Sequence, residues 1–275
     1  MNTSDKISWG CRSLDNLTGG IERGVVTVVH GFSSVGKTTM SAHQPIARIL
    51  SEIGKPRENQ VFVVTDTDGG FSLTRLRQVC LAHGVPNEVI EEVIRKHLIY
   101  RTFYSFQEQH EFWTGSDKES LHGLIKQKKE PLLIVNDAAT VIYRNIILKL
   151  DSRYKMVGMQ PYLGKLGDQA INMMEIAKTF DCPAFMVSYT SSEAGQAFVE
   201  MDRPIGGRTV KEIAKTIIRI RFPTKRIRVQ NEEKEIEDTD YQGRDRVVVL
   251  QKHRDKPIGD KVIVVLGNKG FEDPS

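Results

Sequence analysis

Cysteine is scarce. The 275 residues hold three, Cys11, Cys80 and Cys182, far apart and with no C-x-x-C pair. That spacing argues against a disulfide framework or a zinc site and leaves buried free thiols in a reducing compartment as the expectation. Long apolar runs are missing too. The opening residues MNTSDKISWG carry no signal-peptide core, and no stretch approaches the roughly 20 apolar residues that span a bilayer. A cytoplasmic protein without membrane association is expected. Net charge is small: 39 Lys and Arg against 35 Asp and Glu leave +4, too little to identify a partner. Linkers, internal repeats and low-complexity tracts are also lacking, so residues 1–275 are expected to form one domain.

What is present is an alternation of short apolar runs with helical patterns. The runs Val25–Val29, Val61–Thr65, Leu132–Val135 and Ala184–Val187 are continuously apolar and of strand length. Such runs suit strands buried on both faces of a parallel sheet. Between them, helical patterns cover Thr38–Ile53, Leu73–His83, Asn87–Lys96, Phe106–Lys128 and Leu166–Thr179. The alternation predicts a doubly wound α/β fold. The last third differs: Ile217–Phe222, Ile227–Gln230, Arg246–Leu250 and Lys261–Leu266 follow one another with only turns between. They predict an antiparallel extension on one edge of the main sheet.

The most specific signal is Gly31-Phe32-Ser33-Ser34-Val35-Gly36-Lys37-Thr38-Thr39, a full match to G-x-x-x-x-G-K-[ST]. It follows a strand and opens a helix, the context the motif requires. Glycines let backbone N–H groups wrap phosphates, and the helix N-terminus adds its positive end. Lys37 is expected on the β- and γ-phosphates of ATP, and the Thr38 hydroxyl on Mg²⁺. A second Mg²⁺ group is expected at the end of a buried strand, and Leu132-Leu-Ile-Val-Asn-Asp137 supplies Asp137. A carboxylate to orient the attacking water is expected after the second strand. Asp68 is the candidate and Asp66 its rival, the alternative being a carboxylate pair that merely opens the Gly69-Gly70 turn.

Taken in order, these motifs resemble the archaeal RadA/RadB recombinase family, its RadB-type paralogs in particular, over nearly the whole chain. The resemblance rests on Ile7-Ser-Trp-Gly-Cys-Arg-Ser-Leu-Asp-Asn-Leu, Gly19-Gly-Ile-Glu-Arg-Gly24 and the phosphate loop. It continues in Asp66-Thr-Asp-Gly-Gly-Phe-Ser72, Leu133-Ile-Val-Asn-Asp-Ala-Ala-Thr-Val-Ile-Tyr-Arg144, Pro204-Ile-Gly-Gly-Arg-Thr209 and Gln251-Lys-His-Arg-Asp255. It implies a RecA-like P-loop ATPase core with a mainly parallel sheet, and no helical N-terminal DNA-binding domain. It also implies Arg75, with Gln78 one turn further on, at the adenine. Two departures stand out. The family's catalytic Glu is Asp68 here, one methylene shorter, which predicts slow hydrolysis. Where the family carries Asn-Gln at the end of its fourth strand, this chain has Ser188-Tyr189.

By the same resemblance two segments, about 151–165 and 190–208, correspond to loops that hold single-stranded DNA. Arg153, Tyr154 and Lys155 mark the first; Phe198, Arg203 and Arg208 mark the second. Cations beside aromatics suit a site that tracks a backbone and stacks bases. Independently, RIRFPTKRIR over Arg219–Arg228 carries five basic residues, and NEEKEIEDTD over Asn231–Asp240 carries six acidic ones. Arg219, Arg221, Lys225, Arg226 and Arg228 are therefore candidates for DNA phosphates, or for a charged edge that blocks strand pairing. Lys252 and Arg254, read at the end of a strand where both project to one face, match a K-x-R pair that in RecA-like relatives such as KaiC reaches the neighbouring subunit's γ-phosphate, so a homo-oligomer is implied; the alternative is a solvated basic turn that contacts DNA phosphates directly. The functional expectation is a DNA-binding recombination and repair protein with weak, DNA-dependent ATPase activity, alone or with a RadA-type recombinase. The alternatives are a nucleotide-switched mediator without significant turnover, and a KaiC-like ATPase with no DNA role.

Overall fold

A computed structural model describes residues 6–151, 153, 155–190, 203–229 and 232–274, with backbone alone at 155, 227–229 and 232–236. Strand β1 (Lys6–Ile7) pairs antiparallel with β2 (Ile21–Glu22) around helix α1 (Arg12–Thr18). Then come β3 (Val26–His30), a π-helical turn at Thr39–His43 running into α2 (Gln44–Ile53), β4 (Gln60–Asp66), α3 (Leu73–Ala82), α4 (Asn87–Glu92) and β5 (Leu98–Thr102). The middle of the chain holds α5 (Phe106–Thr114), α6 (Leu121–Lys126), β6 (Glu130–Asp137), α7 (Val141–Leu148), α8 (Lys155–Phe180) and β7 (Ala184–Ser188). The C-terminal part holds α9 (Gly207–Ile213), β8 (Thr216–Arg221), β9 (Thr224–Val229), β10 (Glu232–Glu237), β11 (Asp245–Lys252), β12 (Lys261–Gly267) and β13 (Gly270–Glu272).

Nine of these strands form one sheet in the order β13-β12-β11-β8-β3-β7-β6-β4-β5. From β8 to β5 every pairing is parallel, and from β8 to β13 every pairing is antiparallel. The expected architecture is thus present, a mainly parallel core with an antiparallel C-terminal extension. β3 and β7 are buried along their whole length because helices cover both sheet faces. Successive residues face opposite ways, so Val26, Val28, Val61 and Val63 pack under α5 and α8, while Val29, Phe62 and Val64 pack under α2 and α3.

Three local expectations are corrected, and one strand was not foreseen. Phe106–Lys128 is two helices, because Gly115 ends α5 and the Asp117 carboxylate accepts from the N–H groups of Glu119 and Ser120, turning the chain before Ser120 caps α6. The first of the two loops expected to hold DNA is largely helical: α8 begins at Lys155 and carries Pro161 inside it. Met159, Tyr162 and Leu163 pack on the core there, and burial outweighs the local penalty of proline and glycine. β5 was unreadable because an edge strand, LIYRT, needs no apolar run. Finally, among the described residues β9 and β10 pair only with each other and not with the main sheet.

Chain ends meet at α1. Its N-cap residue, Cys11, supplies no side-chain cap. Instead the Asp273 carboxylate accepts from Arg12 N–H and Ser13 N–H, each at 2.8 Å. Hydrogen bonds led by Ser13 hold that carboxyl down at about 2. All three cysteines are buried free thiols.

Candidate nucleotide-binding site

The parallel strands β3, β4, β6 and β7 end at one edge of the sheet, where ligands bind in open α/β folds. The phosphate loop leaves β3 there. Its glycines are required by geometry: a Cβ on Gly31 would sit 2.2 Å from the Ile220 carbonyl oxygen, and one on Gly36 2.9 Å from the Phe271 ring. Gly36 also has φ of +103°, a region that L side chains rarely enter. Beside the loop lies a cleft of about 450 Å³, walled by Ser33, Ser34, Gly36, Lys37, Thr38 and Thr39. His43, Asp68, Gly70, Ser72, Arg75 and Tyr189 complete its lining.

Lys37 is buried, with its ammonium donating to the Phe32 carbonyl at 2.7 Å. Burial pulls its pKa down, and the charges of Asp137 and Asp68 oppose that. Asp137, at the end of β6, is buried completely, and burial raises its carboxyl to about 7 even though the Thr38 hydroxyl bonds to it. Its Oδ2 has no hydrogen-bond partner among the described residues. Thr38 and Asp137 therefore form a pair, expected from sequence as Mg²⁺ ligands, in which one buried acceptor is still unsatisfied.

Asp66 and Asp68 separate cleanly. Asp66 is buried; its Oδ1 accepts from the N–H groups of Asp68 and Gly69 at 3.0 and 2.7 Å, and its Oδ2 from Phe71 N–H and Tyr100 O–H, both at 3.0 Å. It organises the turn. Asp68 instead faces the cleft, where the Tyr189 hydroxyl donates to it at 3.1 Å. Arg75 also lines the cleft and donates to the Gly267 carbonyl at 2.6 Å. Gln78 reaches Asn268 at 2.8 Å, tying α3 to the β12–β13 turn rather than lining the cleft.

Three residues escaped the sequence reading. His43 is buried in the cleft wall and stacked on Phe71 at 4.8 Å, and burial holds its imidazole down at about 4. Arg246 on β11 is buried behind the loop, with its guanidinium directed at the carbonyls of Val35 and Ser34 at 3.3 and 3.4 Å and the Phe222 ring 4.6 Å away. In a trans peptide the carbonyl and the following N–H point opposite ways. Holding those carbonyls from behind therefore turns the Val35 and Gly36 N–H groups toward the cleft. Tyr189 was noticed only as a departure; its ring lies 4.4 Å from the Lys37 ammonium. No local motif announces any of the three.

The proposed DNA residues disperse. Arg219 is a correction: it is 4% exposed and ion-paired with Glu237 at 2.9 Å, so it holds the hairpin's base rather than facing a nucleic acid. Lys225 pairs with Asp238 at 2.6 Å, and the hairpin register sets Arg226 opposite Glu235 and Arg228 opposite Glu233. Arg221 is half-buried at the end of β8. Arg153 pairs with Asp151, and Arg208, on α9, pairs with Glu212; both are exposed, as is Arg203. Tyr154, Phe198 and the side chains of Lys155 and Arg228 lie outside the described residues.

Lys252 and Arg254 do not share a strand. β11 ends at Lys252 after an irregularity beyond Leu250. Lys252 donates to the Lys211 carbonyl at 2.6 Å, near the end of α9, and Arg254 pairs with Glu22 at 3.2 Å. Since β11 runs antiparallel to β8, both sit at the end of the sheet away from this chain's own phosphate loop.

The fold and the loop together define a RecA-like P-loop protein. The family model described as Rad51 matches residues 3–237, and the chain belongs to that family. It is similar over nearly its whole length to proteins called DNA repair and recombination protein RadB. That of Thermococcus gammatolerans is 28% identical, covering 98% of this chain and 99% of the relative. That of Pyrococcus furiosus is 25% identical, covering 99% and 98%. A solved structure described as the RadB recombinase superposes with a TM-score of 0.64 at 25% identity, covering 98% of this chain and all of the other. Among the described residues no helix is long and apolar enough to cross a membrane.

Proposed function

We propose that the chain is an ATP- and DNA-binding protein of homologous recombination and repair, a single ATPase domain with weak, DNA-dependent turnover. The observation that carries this is the convergence of Lys37, Thr38 and Asp68 on one cleft, with the buried Asp137 carboxylate interacting with Lys37 and Thr38 from beneath. Asp137 and Thr38 fit Mg²⁺: a fully buried carboxylate with an unsatisfied oxygen bonds a hydroxyl at the phosphate loop, an oxygen pair of the kind a hard cation takes. When bound, the ion neutralises charge on the β- and γ-phosphates. Backbone N–H groups of 34–38 and the Lys37 ammonium hold the phosphates, and Arg75 bounds the base side. Asp68 orients a water whose oxygen bonds to the γ-phosphorus as the bond to the bridging β-oxygen breaks, giving ADP and phosphate.

The shorter reach of Asp68 supports slow turnover. Its bond to Tyr189 favours, as a second reading, a mediator that binds ATP and barely hydrolyses it. DNA binding rests on the family and on exposed cations such as Arg153, Arg203 and Arg208. Lys252 and Arg254 act, on this reading, on a neighbouring subunit in a homo-oligomer or a mixed assembly with a RadA-type recombinase. The protein works in the cytoplasm.

ATP affinity and ATPase rate with and without single-stranded DNA, for the parent and Lys37→Ala, test the proposal. DNA-stimulated turnover in the parent and loss of ATP binding in a folded Lys37→Ala protein are expected. ATP binding without turnover moves the conclusion to the mediator. Normal turnover in Lys37→Ala overturns it.

A further inference from the structure

Tyr189 occupies a position at which three elements of the cleft meet. Its hydroxyl donates to Asp68 Oδ2 at 3.1 Å, and its ring faces the Lys37 ammonium at 4.4 Å and the Arg144 guanidinium at 5.7 Å. The backbone beneath it is pinned. Tyr189 N–H donates to the Thr140 hydroxyl at 3.1 Å, and its carbonyl accepts from Ile205 N–H at 3.0 Å. Ser188, its neighbour, donates to the Ile205 carbonyl at 2.7 Å. The backbone that carries the side chain is thus held at the cleft.

The other oxygen of Asp68 is also engaged: Oδ1 accepts from Gly70 N–H at 3.2 Å. Each donor draws negative charge from the carboxylate and claims a lone-pair direction. The side chain is also one methylene shorter than glutamate, so it has little reach left for a water at the γ-phosphate. Burial, with the negative charge of Asp68 behind it, pushes the phenol up to about 12. It therefore remains a protonated donor throughout the physiological range and competes there with water for Asp68.

We infer that Tyr189 is a positioning residue that restrains ATP hydrolysis by holding the Asp68 carboxylate with its hydroxyl, while its ring faces Lys37 across the cleft. The inference rests on Asp68 as the water-orienting group in the function proposed above. It adds that slow turnover is built in by a second side chain and is not only a result of the aspartate's length.

The experiment is a kinetic cycle over Tyr189→Phe, Asp68→Asn and the double variant, with ATP affinity measured separately by equilibrium binding. Phenylalanine keeps the ring and removes the hydrogen bond. Tyr189→Phe is expected to raise kcat by about threefold to tenfold, the size of one released hydrogen bond, with ATP affinity within about twofold of the parent. A residue serving only the fold would lower activity and the melting temperature together, and would not raise kcat. In the Asp68→Asn background the substitution is expected to change nothing, because the group it releases is gone. A kcat in Tyr189→Phe equal to or below the parent's, with ATP still bound, overturns the inference and leaves the proposed function standing. Equal acceleration in the Asp68→Asn background overturns it as well. A parent that binds no ATP removes both.

Discussion

The parallel and antiparallel halves of the sheet hold the same loop in different ways. The parallel half presents it: β3 leads into Gly31, β6 ends on Asp137, and the turn after β4 carries Asp68, all within a residue or two of a strand end. The antiparallel half braces it from behind. Ile220, Phe271 and Leu266 leave no room for a side chain at Gly31 or Gly36, and Arg246 faces two loop carbonyls. Gln44 completes the brace by donating to the Phe271 carbonyl at 3.0 Å and accepting from its N–H at 2.9 Å. Chemistry and support thus come from different parts of the chain, and damage to the support is expected to weaken binding while the reacting groups stay intact.

The largest effect is expected where the halves touch. Gly36→Ala adds a Cβ at 2.9 Å from Phe271 and 3.3 Å from Leu266, at a positive φ. Backbone strain and overpacking together cost roughly 3–4 kcal/mol, and ATP affinity is expected to fall by two orders of magnitude or more. Calorimetric titration of ATP checks this; affinity within tenfold of the parent would mean that the brace yields freely.

His43 belongs to the cleft wall of the parallel half. Its imidazole titrates at about 4 when folded, against 6.5 ordinarily. Between those values the unfolded chain takes up a proton that the folded chain refuses, so stability falls as pH drops from 6.5 to 4. The loss is roughly 3 kcal/mol. His43→Gln keeps an acceptor for Ser72 N–H without titrating. It is expected to flatten urea-unfolding free energies across that window, and an unchanged slope would place the acid sensitivity elsewhere.

Arg246→Met removes the two long hydrogen bonds to loop carbonyls, along with those the guanidinium gives the Gly243 and Asp245 carbonyls at 2.9 and 2.8 Å. It is expected to cost about 1–2 kcal/mol of ATP binding, near tenfold, with DNA binding unaffected. Arg246→Lys is expected to recover part of it. Equal losses in ATP and DNA affinity would indicate general unfolding of the extension.

Farther from the loop, Asp273→Ala removes the cap that α1 borrows from the end of the chain. A loss of about 1 kcal/mol is expected at neutral pH. The folded carboxyl titrates at about 2, below its usual value, so its contribution is present above pH 4 and disappears as pH falls toward 2. Thermal melts of the variant and parent are expected to converge at that end.

Legibility follows the same division. The phosphate loop could be read because nine contiguous residues carry both its geometry and its chemistry, and Asp137 because a buried strand points to it. Arg246 could not, since the carbonyl it faces is 211 residues away in sequence. Arg219 misled because a basic run reads as a solvated face, whereas Glu237, 18 residues on, draws that arginine inside. The start of α8 was hidden by Gly158, Pro161 and Gly164, whose propensities are overruled by packing that no local pattern encodes. Tyr189 could be seen as a departure but not as a ligand of Asp68, because the contact joins the ends of two strands separated in the sheet by a third.

The place of β3 at the centre of the sheet has a consequence for biosynthesis. Its two neighbours are residues 184–188 and 216–221, so the strand carrying the phosphate loop is made early and paired late. At about 5–20 residues per second, a ribosome needs roughly 8–30 s to reach β7 after finishing β3. Throughout that interval Val26, Val28 and Val29 have neither edge of their strand covered. Folding that depends on such distant pairings is slow and exposed to aggregation. The segment that binds nucleotide in the finished protein is thus the one most in need of protection while the chain is being made.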